Sequence, residues 1–291
     1  MVINLDTCKA CGVCAAICPN RIIHKDASGQ MFFRPDRVAL CFQCGQCMAA
    51  CPTRSVQVTE LSYKRDFFDL PEREDDSQAF FDLIASRRAI RNFQDKPVPR
   101  ELLERIVQAI SCAPPGFPPL KTELVVVQDS ALIRQALPHM IELYDRLYKV
   151  MRNPLLRLLI RQEVGPKKFN VIQGHLVPML ESRLPDLKTG AEDTLTRRAP
   201  AMILFHADRQ AQNYEIDAYI ALTYGFLAAH ALGLGGSAMD IIPPAIERSQ
   251  VLRAMFGIPD DHEVVASMIV GYPKYRYQRA IKRELKSVTW F

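Results

Sequence analysis

The sequence predicts an α+β protein in which a mixed sheet flanked by helices follows a small cysteine-rich module. Three observations predict it: a duplicated cysteine motif, three short apolar runs typical of strands, and helical periodicity between those runs. We expect the module over residues 1–60, a connector over 61–76 and the larger domain over 77–291. A chain of 291 residues is long enough for both domains.

Two copies of the pattern C-x2-C-x2-C-x3-C-P form the module, beginning at Cys8 and at Cys41. This is the run of bacterial two-cluster ferredoxins, in which the fourth cysteine of each run ligates the other cluster. Gly12 and Gly45 occupy the same place in each run, where the backbone must approach inorganic sulfide. The pattern therefore predicts two [4Fe-4S] clusters, one held by Cys8, Cys11, Cys14 and Cys51 and the other by Cys41, Cys44, Cys47 and Cys18.

Disulfide bonds and zinc are the alternative uses of these cysteines. The chain has nine cysteines and no signal-peptide-like apolar stretch after Met1, so we expect a reducing compartment, the cytoplasm, where disulfides are rare. Zinc ribbons use paired C-x2-C units, which would leave the third cysteine of each run without a role.

Composition excludes two broad classes of function. The net charge of +5 is too small to indicate nucleic-acid binding. Residues 218–236 have the length of a membrane span, but they are rich in Ala and Gly and lack a basic flank. We therefore expect a buried helix there and no membrane span.

The larger domain begins with two predicted helices. Ser77 is a good N-cap for the first helix. Pro97 and Pro99 precede the second, whose apolar face includes Ile106. The region 131–198 predicts helices rich in leucine and arginine, which we expect to pack on their own domain rather than on a membrane surface.

Apolar runs at 124–127, 201–205 and 264–270 predict buried strands. A turn is expected between the first run and the following helix, at Asp129 and Ser130. Because helices separate the strands, the pattern indicates a sheet with helices packed against it.

Three arginines, Arg87, Arg88 and Arg91, lie in one short loop at a predicted helix end. Guanidinium groups bind phosphate and carboxylate through paired hydrogen bonds, so the loop predicts an anion site. No G-x-G-x-x-G follows a strand, and no GxxxxGK[ST] run is present. The common nucleotide-binding motifs are therefore absent.

Four further stretches accompany the arginine loop of residues 86–93: Pro97-Val98, Ala113-Pro114-Pro115-Gly116, Leu232-Gly233-Leu234-Gly235-Gly236 and Val270-Gly271-Tyr272-Pro273. In this order the chain resembles the FMN-dependent nitroreductases, in the branch fused to an N-terminal two-cluster ferredoxin. The resemblance implies a nitroreductase-like fold, a homodimer with FMN at the interface, and residues 131–198 as a variable lid. It also implies FMN contacts from Arg87, Arg88, Ala89, Arg91, Pro115, Gly116, Gly235, Gly236, Met239, Asp240 and Arg283, with Arg279 as a further candidate.

The chain departs from the family pattern after Ala113-Pro114. The family commonly has Ser-x-x-Asn-x-Gln there, and this chain has Pro115, Pro118 and Leu120 at the three polar positions. The substrate and the use of NAD(P)H therefore stay open. No acid or base can be assigned, and we expect structural roles for His206, His230 and His262 and an inert buried thiol at Cys112.

The resulting hypothesis is a redox enzyme. A small carrier such as ferredoxin or flavodoxin, or NAD(P)H, would supply electrons that pass through the clusters to FMN and on to a small oxidised organic substrate. Nitroaromatics, quinones, activated alkenes and halogenated aromatics all fit. Two alternatives stay open: a non-catalytic electron-carrier subunit of a larger redox complex, and direct reduction of FMN by NAD(P)H with the clusters draining electrons outward.

Overall fold

The computed structural model describes residues 1–70, 77–114, 116, 122–281 and 284–291. The chain divides into two compact units, Met1–Asp75 and Asp76–Phe291. The boundary between them lies within the predicted connector.

The first unit is built from short elements. Its helices are α1 (Val13–Ala16), α2 (Gln46–Ala49) and α3 (Tyr63–Asp66), with a 3-10 turn at Val38–Leu40. Its strands form two antiparallel pairs, β1 (Val2–Ile3) with β4 (Val56–Gln57) and β2 (Ile23–Lys25) with β3 (Met31–Phe33). The core is small, so the cysteine side chains Cys8, Cys14, Cys41, Cys47 and Cys51 contribute to it alongside Ile23, Met48 and Val58.

The second unit contains most of the helices. They are α4 (Ser77–Ser86), α5 (Arg100–Ser111), α6 (Ser130–Arg152), α7 (Pro154–Val171), α8 (Val177–Thr189), α9 (Tyr214–Ala231), α10 (Ile242–Glu247) and α11 (Gln250–Phe256). A π-helical turn, Ile172–Leu176, joins α7 to α8. None of the helices described here has both the length and the hydropathy to span a bilayer.

A four-stranded sheet lies at the centre of this unit. Its strands are β5 (Thr122–Val127), β6 (Ala201–Asp208), β7 (Gly235–Ala238) and β8 (His262–Gly271) in the order β5-β6-β8-β7. Neighbouring strands are antiparallel, and a parallel bridge joins Ala89 to Gly236 of β7. The fold is α+β, as the sequence predicts.

Helices cover both faces of the sheet. Met202 and Leu204 of β6 face a core shared with α6, α8, α10 and α11. Ile203 and Phe205 face the opposite core, shared with α5 and α9. Because both faces are buried, β6 is apolar at every position from Ala201 to Phe205 rather than at alternate positions.

Two predictions about the sheet need correction. The predicted buried strand at 124–127 is the edge strand β5, and Val126 is 38% exposed. The predicted helix 218–236 ends at Ala231, because Gly233 adopts a left-handed φ of +75° that ends the helical path. Gly235–Ala238 then forms β7, a strand too short and too rich in small residues to be read from its composition.

The region 131–198 is largely helical, as predicted, but its packing differs from the expectation. Instead of a simple turn, Asp129 caps α6, and its Oδ1 accepts a hydrogen bond from Ala131 N at 2.8 Å. Three leucines of α7 do not pack on the domain, since Leu155, Leu158 and Leu159 are more than half exposed.

Candidate cofactor sites

The two cysteine loops have the same local structure. Gly12 and Gly45 both adopt left-handed conformations, with φ of +80° and +73°, and each begins a four-residue helix. Glycine adopts this conformation at little cost, so each loop turns sharply between its second and third cysteines. The repeat in sequence is therefore a repeat in backbone geometry.

The structure brings the eight cysteines together as two sets of four. The thiol of Cys14 lies within electrostatic range of Cys8, Cys11 and Cys51, so the first set includes the last cysteine of the second run. The other set is made of Cys47 with Cys41, Cys44 and Cys18. The four cysteines of this second set line one apolar cavity together with Ile22, Phe33 and Val58.

Burial and hydrogen bonding act in opposite directions on these thiols. Burial, reinforced by the neighbouring cysteines, raises the pKa of Cys14 and raises that of Cys47 to about 11. Burial opposes ionisation of Cys51 as well, but backbone N–H groups, including Ser55 N at 3.2 Å from Sγ, outweigh it and lower its pKa. A metal must therefore displace protons from the buried members of each set.

Backbone amides donate to one sulfur at equivalent places in the two runs. Ala10 N lies 3.4 Å from Cys8 Sγ, and Gln43 N lies 3.5 Å from Cys41 Sγ. The fourth cysteine of the first run, Cys18, accepts from Ile22 N at 3.4 Å. Hydrogen bonds to the ligating sulfurs are one of the features that set the reduction potential of an iron–sulfur cluster.

The spacing within each set does not suit a single zinc ion. Four sulfurs around one zinc, at about 2.3 Å each, lie roughly 4 Å or less from one another. Among the residues that the structure describes, one set of three potential ligands has its ligand atoms within 4.8 Å of one another, and it contains no cysteine. No three cysteine sulfurs of the described residues lie within that distance of one another, which favours a multi-iron cluster over a single zinc ion.

The arginine loop follows directly from α4. Arg88 Nη1 donates to the carbonyl oxygens of Ala85 at 2.8 Å and Arg87 at 2.5 Å, so this guanidinium caps the helix C-terminus. Its Nη2 lies 3.5 Å from the carbonyl oxygen of Arg279. The Nε of Arg88 is buried and has no hydrogen-bond partner, which leaves a donor for an anionic or carbonyl group.

The arginine loop packs against the glycines of β7. Ile90 N donates to Gly236 O at 2.9 Å, beside the parallel bridge between Ala89 and Gly236. A Cβ at Gly235 would lie 2.4 Å from Ile90, and one at Gly236 would lie 2.8 Å from the backbone oxygen of Ile269. Close packing of backbone and side chains therefore requires these glycines, and their predicted approach to a flavin ring stays a prediction.

Phe226 of α9 supports the first arginine, since the guanidinium carbon of Arg87 lies 5.5 Å from the centre of its ring. Nearer the N-terminus of the same helix, Asp217 is 3% exposed and accepts a hydrogen bond from Gly116 N at 2.8 Å. Helix α9 thus contacts two of the loops that were predicted to hold the flavin. Two other predicted contacts, Pro115 and Arg283, lie outside the described residues.

The backbone of Met239 is already engaged. Its N–H donates to Ser267 O at 3.3 Å, and its carbonyl accepts from Ser267 Oγ at 2.9 Å. Asp240 is exposed beside α9, where burial and then the charge of Asp240 raise the pKa of Tyr219. Of the two predicted FMN contacts Met239 and Asp240, only Asp240 is exposed to solvent.

The sequence analysis missed Arg197, which the structure places near Arg91. Its Nε is buried and has no hydrogen-bond partner, and its nearest carboxylate, Glu192, is 3.9 Å from Nη1. Burial and then the charge of Arg91 lower the pKa of Arg197. Two neighbouring cations, one with a buried N–H that lacks a partner, indicate a place for an anionic or electron-rich group.

The loop that carries Arg197 is tightly built. Asp193 accepts hydrogen bonds from the backbone N–H groups of Leu195, Thr196 and Arg198 at 2.8–3.0 Å. Arg197 and Arg198 are both in the left-handed region, with φ of 59° and 49°. Consecutive residues in that region are costly, and such strain is concentrated at functional sites.

His230 lies beside the arginine loop, and Cys112 lies at the end of α5. His230 Nε2 lies 2.8 Å from Ser86 Oγ, and burial followed by the charges of Arg87 and Arg88 lowers its pKa. The prediction of a buried thiol at Cys112 is wrong, because Cys112 lies at the end of α5 and its side chain is exposed. His230 thus lies beside Arg87 and Arg88, whereas Arg91 and Arg197 form a separate pair of neighbouring cations.

Comparison with known proteins supports both halves of this description. The 4Fe-4S dicluster domain matches residues 7–56. An iodotyrosine deiodinase from Haliscomenobacter hydrossis is 23% identical over 221 residues, which cover 71% of this chain and 84% of the relative.

Solved structures share the fold of the second unit. A nitroreductase with bound FMN from Desulfitobacterium hafniense has a TM-score of 0.53 at 19% identity, covering 72% of this chain and 97% of that one. An FMN-dependent nitroreductase from Clostridium difficile also has a TM-score of 0.53, at 18% identity, with 74% and 100% covered. The nitroreductase family itself matches residues 84–272, which is more than half of the chain. The chain is therefore an oxidoreductase of the nitroreductase family, with a 4Fe-4S dicluster domain at its N-terminal side.

Proposed function

We propose that the protein uses FMN and two [4Fe-4S] clusters to pass electrons from a reductant to a small oxidised organic substrate. The observation that carries the proposal is that two arginines, Arg88 and Arg197, each bury an Nε without a hydrogen-bond partner. In an FMN-binding family, such donors suit the phosphate, ribityl or pyrimidine oxygens of the flavin.

The bound groups would supply the redox chemistry, with single electrons at the clusters and two-electron transfer at the flavin. The protein would position them and set their charge environment. Arg87 and Arg88 are proposed to bind FMN, with Arg283 as a phosphate contact from the tail. Arg91 and Arg197 would stabilise negative charge on the pyrimidine edge, because they are neighbouring cations and the carboxylate of Glu192 is 3.9 Å from Arg197.

In the N-terminal unit, the first cluster is proposed to bind Cys8, Cys11, Cys14 and Cys51, and the second to bind Cys18, Cys41, Cys44 and Cys47. The composition of the two sets supports this pairing. Clusters accept single electrons, so a ferredoxin or flavodoxin is the donor that this unit suits, with NAD(P)H as the competing donor.

The substrate is proposed to be a nitroaromatic, quinone, activated alkene or halogenated aromatic compound. The family name favours the first of these, and the iodotyrosine deiodinase relative keeps the last in consideration. The helices over 131–198 would act as the lid, and the exposed leucines of α7, including Leu155 and Leu159, would offer it an apolar surface.

A homodimer is part of the proposal. One side of α9 packs on the sheet, while Ile216, Tyr219 and Tyr224 on that helix are exposed. Phe80 and Phe81 of α4 are also more than half exposed. Exposed apolar groups of this size commonly mark an interface, and a second copy would cover them.

The test begins with protein purified under anaerobic conditions. We expect about eight irons and one FMN per chain. Iron and sulfide without flavin would instead identify an electron carrier. Stopped-flow mixing with reduced ferredoxin should bleach the flavin faster than mixing with NAD(P)H. Faster bleaching by NAD(P)H would instead favour direct reduction of FMN, with electrons leaving through the clusters. Failure of both donors would contradict the proposed entry of electrons.

The flavin site is tested by the pair Arg87→Ala and Arg88→Ala in one variant. Each charge-assisted contact contributes roughly 1.5–3 kcal/mol, so FMN should be lost while cluster absorbance remains. Arg157→Ala, on an exposed position of α7, is the control. Wild-type flavin content in the double variant would overturn the assignment.

A further inference from the structure

Three potential metal ligands converge at one end of the sheet, on strands β5, β6 and β8. Glu123 lies directly opposite His206 across the β5–β6 ladder. Val264 lies opposite His206 on the other side, and His262 is two residues earlier along β8, on the same face. A register shift between Phe205 and His206 adjusts this alignment. The three side chains therefore share one face of the sheet.

The distances match those of a chelating site. Nδ1 of His206 and Nδ1 of His262 are 2.9 Å apart, and one ligand atom from each of the three residues lies within 4.8 Å of the others. Two imidazole nitrogens bound to one ion at about 2.0–2.1 Å lie roughly 2.9–3.4 Å apart for bond angles of 90–109°. The histidine pair can thus bind an ion with little movement of the backbone.

The cation nearest the histidines is already paired with a carboxylate. Arg253 Nη2 donates to His262 O at 3.0 Å, but its charge is paired with Glu247 at 2.8 Å. Asp208 lies directly opposite His262 in the ladder, but its Oδ1 accepts a hydrogen bond from Gln210 N at 2.8 Å. His206 is 4% exposed, whereas Glu123 is exposed, so an ion could enter from the Glu123 side and remain partly hydrated.

We propose that Glu123, His206 and His262 form a binding site for a divalent first-row transition ion, separate from the cysteine and arginine sites. Two imidazoles and one carboxylate are a ligand set that suits Zn²⁺ and its neighbours, with water completing the coordination. The ion would join the edge strand β5 to β6 and β8. A simple hydrogen bond between the two imidazoles is the competing explanation of their separation, but it does not explain why Glu123 lies close to both.

Zn²⁺ is the probe, because it is absent from iron–sulfur clusters and its X-ray absorption edge reports its own ligands. The protein is loaded with iron and flavin, freed of any affinity tag, and titrated with Zn²⁺ by calorimetry. We expect one Zn²⁺ per chain, and absorption spectra with nitrogen and oxygen ligands near 2.0 Å and imidazole scattering. Sulfur ligands near 2.3 Å would show binding to cysteine instead and would contradict the proposal.

Variants decide which residues bind the ion. Glu123→Gln and His262→Gln should each raise the Kd for Zn²⁺ at least tenfold, while His175→Gln, at an exposed histidine of the π-helical turn, should leave it unchanged. Glu123 is exposed, so its variant keeps the test valid if the histidine variant fails to fold. No Zn²⁺ binding up to 100 µM, or an unchanged Kd in Glu123→Gln, would contradict the proposal. A hydrogen bond between the two histidines would then explain their separation.

Discussion

Asp217 Oδ1 accepts a hydrogen bond from the backbone N–H of Gly116 at 2.8 Å, although the two residues are 101 positions apart in the chain. Asp217 belongs to α9, and Gly116 follows the Ala-Pro-Pro run that was predicted to lie at the flavin. A Cβ at Gly116 would come within 3.0 Å of the same carboxylate oxygen. A buried acidic side chain therefore fixes the position of Gly116.

The first prediction concerns this hydrogen bond. Asp217→Ala leaves the amide of Gly116 without its acceptor, so we expect the free energy of unfolding to fall by about 1–3 kcal/mol. Urea denaturation followed by circular dichroism measures the change. Asp217→Asn keeps an acceptor of nearly the same shape and should lose much less. Equal losses in both variants would mean that the carboxylate charge, and not the hydrogen bond, holds the loop.

The second prediction concerns Arg197. Arg197→Met removes a partly buried cation next to Arg91, so the flavin-free protein should keep its stability while the Kd for FMN rises. A lost charge-assisted contact of roughly 1.5–3 kcal/mol corresponds to about a ten- to hundredfold change. Quenching of FMN fluorescence measures the Kd, and the flavin midpoint potential should also become more negative. Arg157→Met is the matched control, and an unchanged Kd in Arg197→Met would remove this residue from the site.

Local features were predictable from the sequence. The cysteine spacing fixes the loop geometry because each run contains its own turn-forming glycine, Gly12 or Gly45. The strands β6 and β8 are apolar along most of their length, so composition alone identifies them. The arginine loop was found because three cations are close together in sequence.

Long-range features were not predictable from single stretches. Arg197 approaches Arg91, and Asp217 approaches Gly116, only after the chain has folded. The strand β7 has no apolar signal, because its glycines are required by packing against Ile90 rather than by strand propensity. The exposure of Cys112 and of β5 likewise depends on which elements end up at an edge.

The third prediction concerns pH. Burial and the charges of Arg87 and Arg88 hold the pKa of His230 below its ordinary value of 6.5 in the folded chain. The unfolded chain therefore binds this proton more readily, and stability that is present above about pH 6.5 is lost as pH falls toward the folded pKa. His206 shifts in the same direction, so His230→Gln should weaken this pH dependence without abolishing it. Urea midpoints measured between pH 5.5 and 7.5 test it, and identical slopes in wild type and variant would contradict it.

The last prediction separates crossed from uncrossed cluster ligation. If Cys51 belongs with Cys14, removing both in one variant damages a single cluster, and about four irons per chain should remain. Cys51→Ala combined with Cys47→Ala instead damages both clusters, and little iron should remain. Uncrossed ligation reverses the two results, because Cys51 would then share a cluster with Cys47. Iron and acid-labile sulfide are measured on anaerobically purified protein. Cys112→Ala, outside both sets, is the control and should keep about eight irons.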